Sequence, residues 1–190
     1  MIHHANMDNE QYENPWGCTS SREIYENPWI KVIEDQVIRP NKTEGIYGKI
    51  HFKNKAIGII PIDAEMNTWL VGQYRYTLNE YSWEIPTGGV PLDEDTLGGA
   101  KRELKEETGL SAKKWTRLLK INTSNSVTDE FGFVYVAEDL TQGEMDWDET
   151  EELKIKKIPL KQALEMVMTS QITDSLSIAG ILKTVRLFGL

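Results

Sequence analysis

Three glutamates stand close together in one helical segment of the chain. Glu103, Glu106 and Glu107 fall within roughly 100° of one another on a helical wheel, beside the apolar stripe of the same helix. Like charges at this spacing repel, which costs free energy unless a cation lies among them. Carboxylate oxygens are the ligands that Mg²⁺ and Mn²⁺ prefer. The cluster therefore indicates a divalent-metal site, although a solvated acidic face is the alternative for any such helix taken alone.

Glycines flank this acidic helix on both sides. Gly88 and Gly89 allow backbone to approach a ligand without a Cβ in the way, and Gly109 can adopt the left-handed conformation that ends a helix. Arg102 stands next to Glu103 and can hold a carboxylate through two parallel hydrogen bonds. These neighbours fit the same interpretation of a bound metal ion beside the glutamates.

The complete spacing runs from Gly88 through Glu94 to residues 102–110, Arg-Glu-Leu-Lys-Glu-Glu-Thr-Gly-Leu. This pattern resembles the Nudix box at every defining position, and the chain is identified on it as similar to the Nudix hydrolases. The resemblance implies an α/β/α sandwich around a mixed central sheet. It also implies hydrolysis of a nucleoside diphosphate linked to another moiety, with Mg²⁺ as cofactor and Mn²⁺ as a substitute.

The same resemblance assigns roles within the box. Glu103 and Glu107 are expected to bind the metal, and the backbone carbonyl of Thr87 to join them. Glu106 is expected to be a third ligand, directly or through water, and is also a catalytic candidate. Gly88, Glu94, Arg102 and Gly109 are expected to be structural, with Glu94 and Arg102 fixing the geometry between loop and helix.

The lead-in to the box points to one branch of the family. Residues 73–76 and 81–86, Gln-Tyr-Arg-Tyr and Tyr-Ser-Trp-Glu-Ile-Pro, are similar to the ADP-ribose pyrophosphatase and nucleoside diphosphate sugar hydrolase branch. That branch also has an N-terminal β-lobe, which often exchanges between two protomers. We therefore expect a flexible arm over residues 1–20, an antiparallel β-lobe over 21–54 that forms a homodimer, and a Nudix domain over 55–190.

Several side chains outside the box are candidates for substrate binding. Arg75 is the candidate phosphate clamp, with a buried ion pair as its alternative. Trp83 or Tyr25 can stack on a base, although an aromatic side chain is more often part of the core. The lobe aromatics, which also include Trp29 and Phe52, predict a base held between the lobe and the core of a partner chain.

Two acidic loops complete the candidate site. Residues 123–130 contribute Ser126, Asp129 and Glu130 as substrate contacts, but lack the proline common in ADP-ribose pyrophosphatases, which favours a broader sugar preference. Glu149, with Glu151 second, is the expected general base, because branch members often take it from a loop ahead of a late strand. A solvated acidic loop is the alternative there.

The remaining pattern is that of a mixed α/β (α+β) fold. Alternating and short apolar runs predict strands over residues 29–38, 46–52, 56–62, 69–76, 81–85, 117–122, 130–137 and 153–158. Helices are expected over 93–109, 160–168 and 175–188. The pentapeptide Tyr-Glu-Asn-Pro-Trp occurs at 12–16 and again at 25–29, and its Asn-Pro pair predicts two similar turns or an aromatic platform.

Composition limits the classes of function. The chain has 190 residues, a net charge of −9 and one cysteine, Cys18. An acidic chain lacks the basic footprint of a nucleic-acid binder, and no apolar run is long enough for a membrane span. One cysteine excludes an internal disulfide and, with no secretory pattern at the N-terminus, favours the cytoplasm.

The function expected from these observations is metal-dependent hydrolysis of nucleoside diphosphate sugars, such as ADP-ribose or GDP-mannose, to a nucleoside monophosphate and a sugar phosphate. The alternatives are a pyrophosphohydrolase of nucleoside triphosphates or dinucleoside polyphosphates, and a non-catalytic Nudix ligand sensor.

Overall fold

The computed structural model of the chain describes residues 12–143 and 153–190. In chain order its elements are β1 (Gly17–Glu26), β2 (Ile30–Ile38), β3 (Glu44–Phe52), β4 (Asn54–Pro61), β5 (Asn67–Arg75), β6 (Glu80–Glu84), β7 (Thr87–Pro91), α1 (Thr96–Thr108), β8 (Leu110–Asn122), β9 (Phe131–Gln142), β10 (Lys154–Pro159), α2 (Leu160–Met168) and α3 (Ser175–Phe188).

A four-stranded mixed sheet in the order β7-β4-β9-β8 forms the centre of the fold, with β4 and β9 parallel and the other pairs antiparallel. Side chains on β4 alternate between its faces. Ile57 and Ile59 pack in one core cluster with Leu104 of α1, whereas Ile60 packs in a second cluster with Ile181 of α3. Helices therefore cover both faces, which confirms the expected α/β/α sandwich.

A second, antiparallel sheet of three strands, β10-β5-β6, lies beside the central one. The expected single mixed sheet is thus divided in two among the described residues. Pro159 precedes α2, and Asp174 and Gly189 cap α3, so both helices occupy the predicted ranges. β7 was not predicted as a strand, since its sequence Thr-Gly-Gly-Val-Pro lacks alternation.

The helix that carries the glutamates has a defined start and end. The Asp95 carboxylate accepts a hydrogen bond from the Gly98 amide (2.8 Å), and Gly109 ends the helix with φ of 70°. A Cβ on Gly99 would lie 2.2 Å from a methyl group of Val90 on β7. This close approach holds α1 against β7 and explains why a glycine occupies the first turn of a helix.

The N-terminal strands β1, β2 and β3 form a separate antiparallel sheet. β1 begins at Gly17, so residues 17–20 lie in this sheet and the lobe starts earlier than the predicted boundary at 21. Every residue of β1 is exposed, as are large apolar side chains of the lobe such as Ile24 and Ile46.

The repeated pentapeptide forms the same turn twice. The side-chain oxygen of Asn14 accepts a hydrogen bond from the Trp16 amide (3.0 Å), and that of Asn27 accepts one from the Trp29 amide (2.9 Å). These are Asx turns, with the intervening proline holding the chain in the bend. The two turns lie just before β1 and just before β2.

A carboxylate on the connection between β4 and β5 fixes a second kind of turn. Asp63 accepts a hydrogen bond from the Asn67 amide (2.7 Å) and pairs with Lys157 (2.7 Å), and Met66 adopts a φ of 62° within this turn. Partial burial acts to raise the pKa of Asp63, but these bonds outweigh it and hold the pKa below its ordinary value.

Within the described part of the chain, no helix is long and apolar enough to cross a membrane.

Candidate active site

Two glutamates of α1 are buried against the backbone of β7. Glu103 and Glu107 lie one turn apart and are only 9% and 5% exposed. The Glu107 carboxylate accepts a hydrogen bond from the Thr87 amide (2.9 Å). Burying two carboxylates this close together is costly, so the arrangement favours a bound cation.

The glycine of β7 leaves room for one of these carboxylates. A Cβ on Gly88 would lie 2.0 Å from the carboxyl carbon of Glu103 and 2.1 Å from one of its oxygens. Only glycine therefore fits at this position with Glu103 in place. The predicted structural role of Gly88 has a direct geometric reason, which is to accommodate the Glu103 carboxylate.

Arg102 binds the acidic residues of its own helix. It pairs with Glu103 (2.8 Å) and Glu106 (2.9 Å) and approaches the Gly89 carbonyl (3.4 Å). Partial burial acts to lower the pKa of Arg102, but the charges of Glu103, Glu106 and Glu94 outweigh it and raise the pKa. Arg102 thus forms ion pairs with Glu103 and Glu106. Glu94, its predicted partner, acts on it as a nearby charge.

The turn between β7 and α1 is instead held by a lysine that the sequence reasoning did not name. Lys55 of β4 is 8% exposed, and its ammonium group donates to the carbonyls of Leu92 (2.9 Å) and Glu94 (2.6 Å). A lone lysine in an apolar strand gives no periodic signal, so its role appears only once β4 and β7 are paired.

These groups open into a cleft of about 600 Å³ between the lobe and the core. Its lining combines the box with residues of the lobe, of β4, β5 and β6, of the loop 123–130 and of the start of α3: Trp29, Phe52, Asn54, Lys55, Ala56, Ile57, Gln73, Arg75, Glu84, Thr87, Gly88, Gly89, Glu107, Thr123, Glu130, Asp174, Ser175 and Leu176. The cleft is polar on the side of the box and carries two aromatic rings on the side of the lobe.

The predicted phosphate clamp lies in the cleft and also makes the ion pair that was its alternative. Arg75 binds both carboxylate oxygens of Glu84, which is buried on β6, with Nε at 2.9 Å. The hydrogen bond that Arg75 donates to Glu84 is the main cause that raises the pKa of Arg75, to which the charges of Asp174 and Glu107 add. Glu84 therefore fixes the guanidinium in the cleft wall, where it remains a permanent positive charge.

The aromatic side chains divide between the cleft and other surfaces. Trp29 and Phe52 line the cleft. Trp83 is absent from the lining and lies under the ammonium group of Lys156 (4.1 Å), and Tyr25 lies outside the lining on the exposed strand β1. The predicted stacking roles of Trp83 and Tyr25 are therefore not supported by their placement, whereas the lobe aromatics Trp29 and Phe52 stand in the cleft of their own chain.

The loop of residues 123–130 presents its candidates in two directions. Glu130 lines the cleft together with Thr123, whose hydroxyl donates to the Glu130 carboxylate. Asp129 instead binds the lobe, through the Phe52 amide (2.9 Å) and His51 (2.5 Å). Ser126 also faces the lobe, where its carbonyl accepts from the Tyr47 hydroxyl (2.5 Å). The structure thus places Glu130 in the lining of the cleft, and Asp129 and Ser126 outside this lining against the lobe.

The start of α3 adds polar groups that were not predicted. Asp174 and Ser175 line the cleft. The buried hydroxyl of Ser177 donates to Asp174 (2.7 Å) and accepts from the Ile85 amide (3.0 Å). This chain of bonds ties α3 to the segment that leads into Thr87. Glu149 and Glu151, the candidate bases, lie outside the described residues.

The donor set fits a hard divalent cation. Glu103 supplies a carboxylate in the space that a Cβ at Gly88 would fill, and Glu107 supplies one that accepts a hydrogen bond from the Thr87 amide. Within residues 12–143 and 153–190, no three acidic, histidine or cysteine side chains converge into a complete metal cage. Mg²⁺ commonly binds one or two carboxylates and completes its shell with water and substrate phosphates, so the pair is sufficient.

Comparison with known proteins agrees with this geometry. Residues 53–174 match the NUDIX domain, and residues 16–50 match the nucleoside diphosphate sugar hydrolase N-terminal domain. The chain is 32% identical over 122 residues to an ADP-ribose pyrophosphatase of Bacillus subtilis, covering 63% of this chain and 66% of that one. It is 33% identical over 130 residues to an ADP-ribose pyrophosphatase of Mycobacterium tuberculosis, covering 67% of this chain and 63% of that one.

These two alignments span slightly less than two thirds of either relative. A crystal structure of an ADP compounds hydrolase shares the fold, with a TM-score of 0.84 and 19% identity over 94% of this chain and 97% of that one. The match to the NUDIX domain covers more than half of the chain and includes the glutamates, the glycine turn and most of the residues that line the cleft. The chain belongs to the Nudix family, with an N-terminal domain of the nucleoside diphosphate sugar hydrolase type.

Proposed function

We propose that this protein hydrolyses the pyrophosphate bond of nucleoside diphosphate sugars, with ADP-ribose as the first candidate, to a nucleoside monophosphate and a sugar phosphate. The observation that carries the proposal is the buried pair Glu103 and Glu107, set against the Thr87–Gly88 backbone at one side of a cleft with aromatic side chains opposite. The relatives named ADP-ribose pyrophosphatase support the choice of first substrate.

The residues that would hold Mg²⁺, or Mn²⁺ in its place, are Glu103 and Glu107, with Glu106 and the Thr87 carbonyl as the further ligands. When bound, such an ion neutralises the diphosphate and lowers the pKa of a water molecule that attacks phosphorus. Arg102 holds the carboxylate groups of Glu103 and Glu106 close together by pairing with both. This pairing also offsets part of their mutual repulsion.

Arg75 is proposed to bind the phosphate oxygens of the substrate. Two of its nitrogens are engaged by Glu84, which fixes the plane of the guanidinium within the lining of the cleft. A guanidinium held in this way loses little conformational entropy on binding. Glu84 therefore acts on the substrate through Arg75.

The lobe is proposed to bind the base or the sugar. Trp29 is 66% exposed and lines the cleft together with Phe52. Stacking of a base on an aromatic side chain contributes about 1–3 kcal/mol.

The general base is proposed to be Glu149, with Glu151 as the second choice. Both residues lie outside the part of the chain that the structure describes.

We also propose a homodimer through the lobe. β1 is an edge strand with all ten residues exposed, and a three-stranded sheet with so little buried surface gains stability from a partner. Because Trp29 and Phe52 already line the cleft of their own chain, this dimer does not require exchange of the lobe. Sedimentation at micromolar concentration tests it, and a stable, fully active monomer contradicts it.

A substrate panel tests the proposed activity. ADP-ribose, GDP-mannose, UDP-glucose and ADP-glucose are incubated with Mg²⁺, and release of AMP, GMP or UMP is followed by chromatography. We expect cleavage of at least one of these sugars with the nucleoside monophosphate as product. Faster cleavage of nucleoside triphosphates or dinucleoside polyphosphates would favour the alternative enzyme class, and tight binding without cleavage would favour a ligand sensor.

A further inference from the structure

The loop of residues 123–130 joins β8 to β9 and makes contacts on two sides. Its two ends face the cleft, where Thr123 and Glu130 form part of the lining. Between these ends the chain runs along β3 of the lobe. The loop therefore touches both the cleft and the lobe.

Backbone hydrogen bonds attach this loop to the lobe. The Ile50 amide donates to the Val127 carbonyl (2.9 Å), and the Asp129 amide donates to the Ile50 carbonyl (3.2 Å). The Tyr47 hydroxyl donates to the Ser126 carbonyl (2.5 Å). Together they form a short parallel bridge between β3 and the loop, centred on Ile50 and Thr128.

One side chain completes the attachment. Asp129 uses both carboxylate oxygens, one to accept from the Phe52 amide (2.9 Å) and the other to bind Nδ1 of His51 (2.5 Å). Partial burial acts to raise the pKa of Asp129, but the bonds from His51 and Phe52 outweigh it and lower the pKa. The carboxylate therefore stays charged and bound to the lobe at neutral pH.

The pair of His51 and Asp129 lies beside the cleft, outside its lining. Neither His51 nor Asp129 lines the cleft, but each directly precedes a residue that does: Phe52 on β3 and Glu130 at the end of the loop. Successive side chains of extended backbone point to opposite sides. The hydrogen-bonded pair of His51 and Asp129 thus lies next to the two cleft residues and joins the segments that carry them.

We propose that Asp129 and His51 are positioning residues that hold Glu130 and Phe52 at the correct separation across the lobe side of the cleft. The inference rests on the proposed function, because it takes the cleft as the substrate site. Loss of the pair would leave the loop attached to the lobe only through the hydrogen bonds of Ile50 and Tyr47, and the loosened loop would widen this part of the cleft. Since Phe52 and Glu130 line the cleft and are not among the expected metal ligands, substrate binding would weaken more than the rate of the bound complex.

Kinetics of Asp129→Ala and His51→Ala, measured on the best substrate of the panel, test the proposal. We expect KM to rise about tenfold with kcat within about twofold of the wild type, as for loss of binding that is equal in ground and transition states. His51→Asn, which keeps a nitrogen donor near the position of Nδ1, should restore most of the wild-type KM.

Two control variants separate positioning from general destabilisation. Arg22→Gln removes an exposed ion pair of the lobe with Glu34 (3.0 Å) that does not touch the loop, and Asp63→Asn weakens a carboxylate-held turn outside the cleft lining. Both should keep the wild-type KM even where they lower the melting temperature. An unchanged KM in Asp129→Ala, or an equal rise in Arg22→Gln, would overturn the proposal.

Amide hydrogen exchange tests the attachment without any substrate. In Asp129→Ala, exchange in peptides that cover residues 123–130 and the Ile50 amide should become at least about tenfold faster, because the bonds between loop and lobe open. Arg22→Gln should leave these peptides unchanged. Equal protection in Asp129→Ala and wild type would refute the positioning role. If the wild type cleaves no compound of the panel, the proposed function fails, and exchange alone decides whether the pair holds the loop.

Discussion

Replacing Gly88 by alanine should weaken metal activation without unfolding the protein. The added Cβ would lie 2.0 Å from the carboxyl carbon of Glu103, where an ordinary contact is 3.4–4 Å, so the carboxyl group must move by at least the difference of 1.4 Å. The backbone of Gly88 is not in the left-handed region, which within the described residues only two other glycines occupy. Alanine therefore fits the strand, and the cost falls on the position of Glu103.

A shift of this size is large for a metal ligand. Mg²⁺ is bound at about 2.0–2.1 Å, and ligand distances vary by about 0.2 Å. We expect the Mg²⁺ concentration for half-maximal activity to rise about 10–100-fold, the range found when groups that orient metal ligands are removed. The melting temperature should change by only a few degrees, because the displaced atoms are the end of a flexible side chain.

Gly98→Ala is the matched control. Its Cβ would lie 3.5 Å from the nearest atom, a carboxylate oxygen of Asp95, which is ordinary contact. Alanine in a helix is favoured over glycine by up to about 1 kcal/mol, so this variant should be slightly more stable. Initial rates against Mg²⁺ concentration measure both variants. A wild-type activation constant in Gly88→Ala would refute the assignment of Glu103 as a metal ligand.

Three further outcomes follow from the same structure. Glu149→Gln should lower kcat about a hundredfold at an unchanged Mg²⁺ activation constant. A large loss of kcat in Glu151→Gln, with a wild-type kcat in Glu149→Gln, would show that Glu151 is the base. Arg75→Lys should raise KM about tenfold and lower the melting temperature, because lysine cannot bind both oxygens of Glu84, and a wild-type KM would contradict the clamp. The pKa of Asp63 is lower in the folded state than in the unfolded state, so its contribution is present above pH ~4 and is lost as pH falls through the folded pKa. The difference in unfolding free energy between wild type and Asp63→Asn, from urea titrations, should therefore shrink between about pH 5 and pH 3, and a constant difference would contradict it.

The sequence predicts those parts of the fold whose signals are local. The helix of the box, and α2 and α3, have caps and periodic apolar residues within their own segments, so their positions agree closely with the prediction. β1 and β7 lack such signals. β1 is exposed throughout and mostly polar, and β7 is a short glycine-rich strand that pairs with β4.

The site was harder to predict where a role depends on the direction of a side chain. Neighbouring residues of extended chain face opposite sides, and a shift of one position exchanges them. Asp129 and Glu130 are adjacent acidic residues, yet only Glu130 lines the cleft. Trp29 and Trp83 were both predicted to lie in strands, but only Trp29 lines the cleft. Spacing along the chain cannot resolve these pairs, because the answer depends on strand register and on how the lobe packs.

The most direct test of the central claim is the rate of AMP release from ADP-ribose as a function of Mg²⁺ concentration, for the wild type and Glu107→Gln. The amide oxygen of glutamine can still accept the hydrogen bond from Thr87, so the fold should be retained, as circular dichroism and the melting temperature would show. The account predicts Mg²⁺-dependent hydrolysis in the wild type and a loss of at least about a hundredfold, ~2.7 kcal/mol of barrier, in the variant. Hydrolysis by Glu107→Gln at the wild-type rate in saturating Mg²⁺ would contradict it.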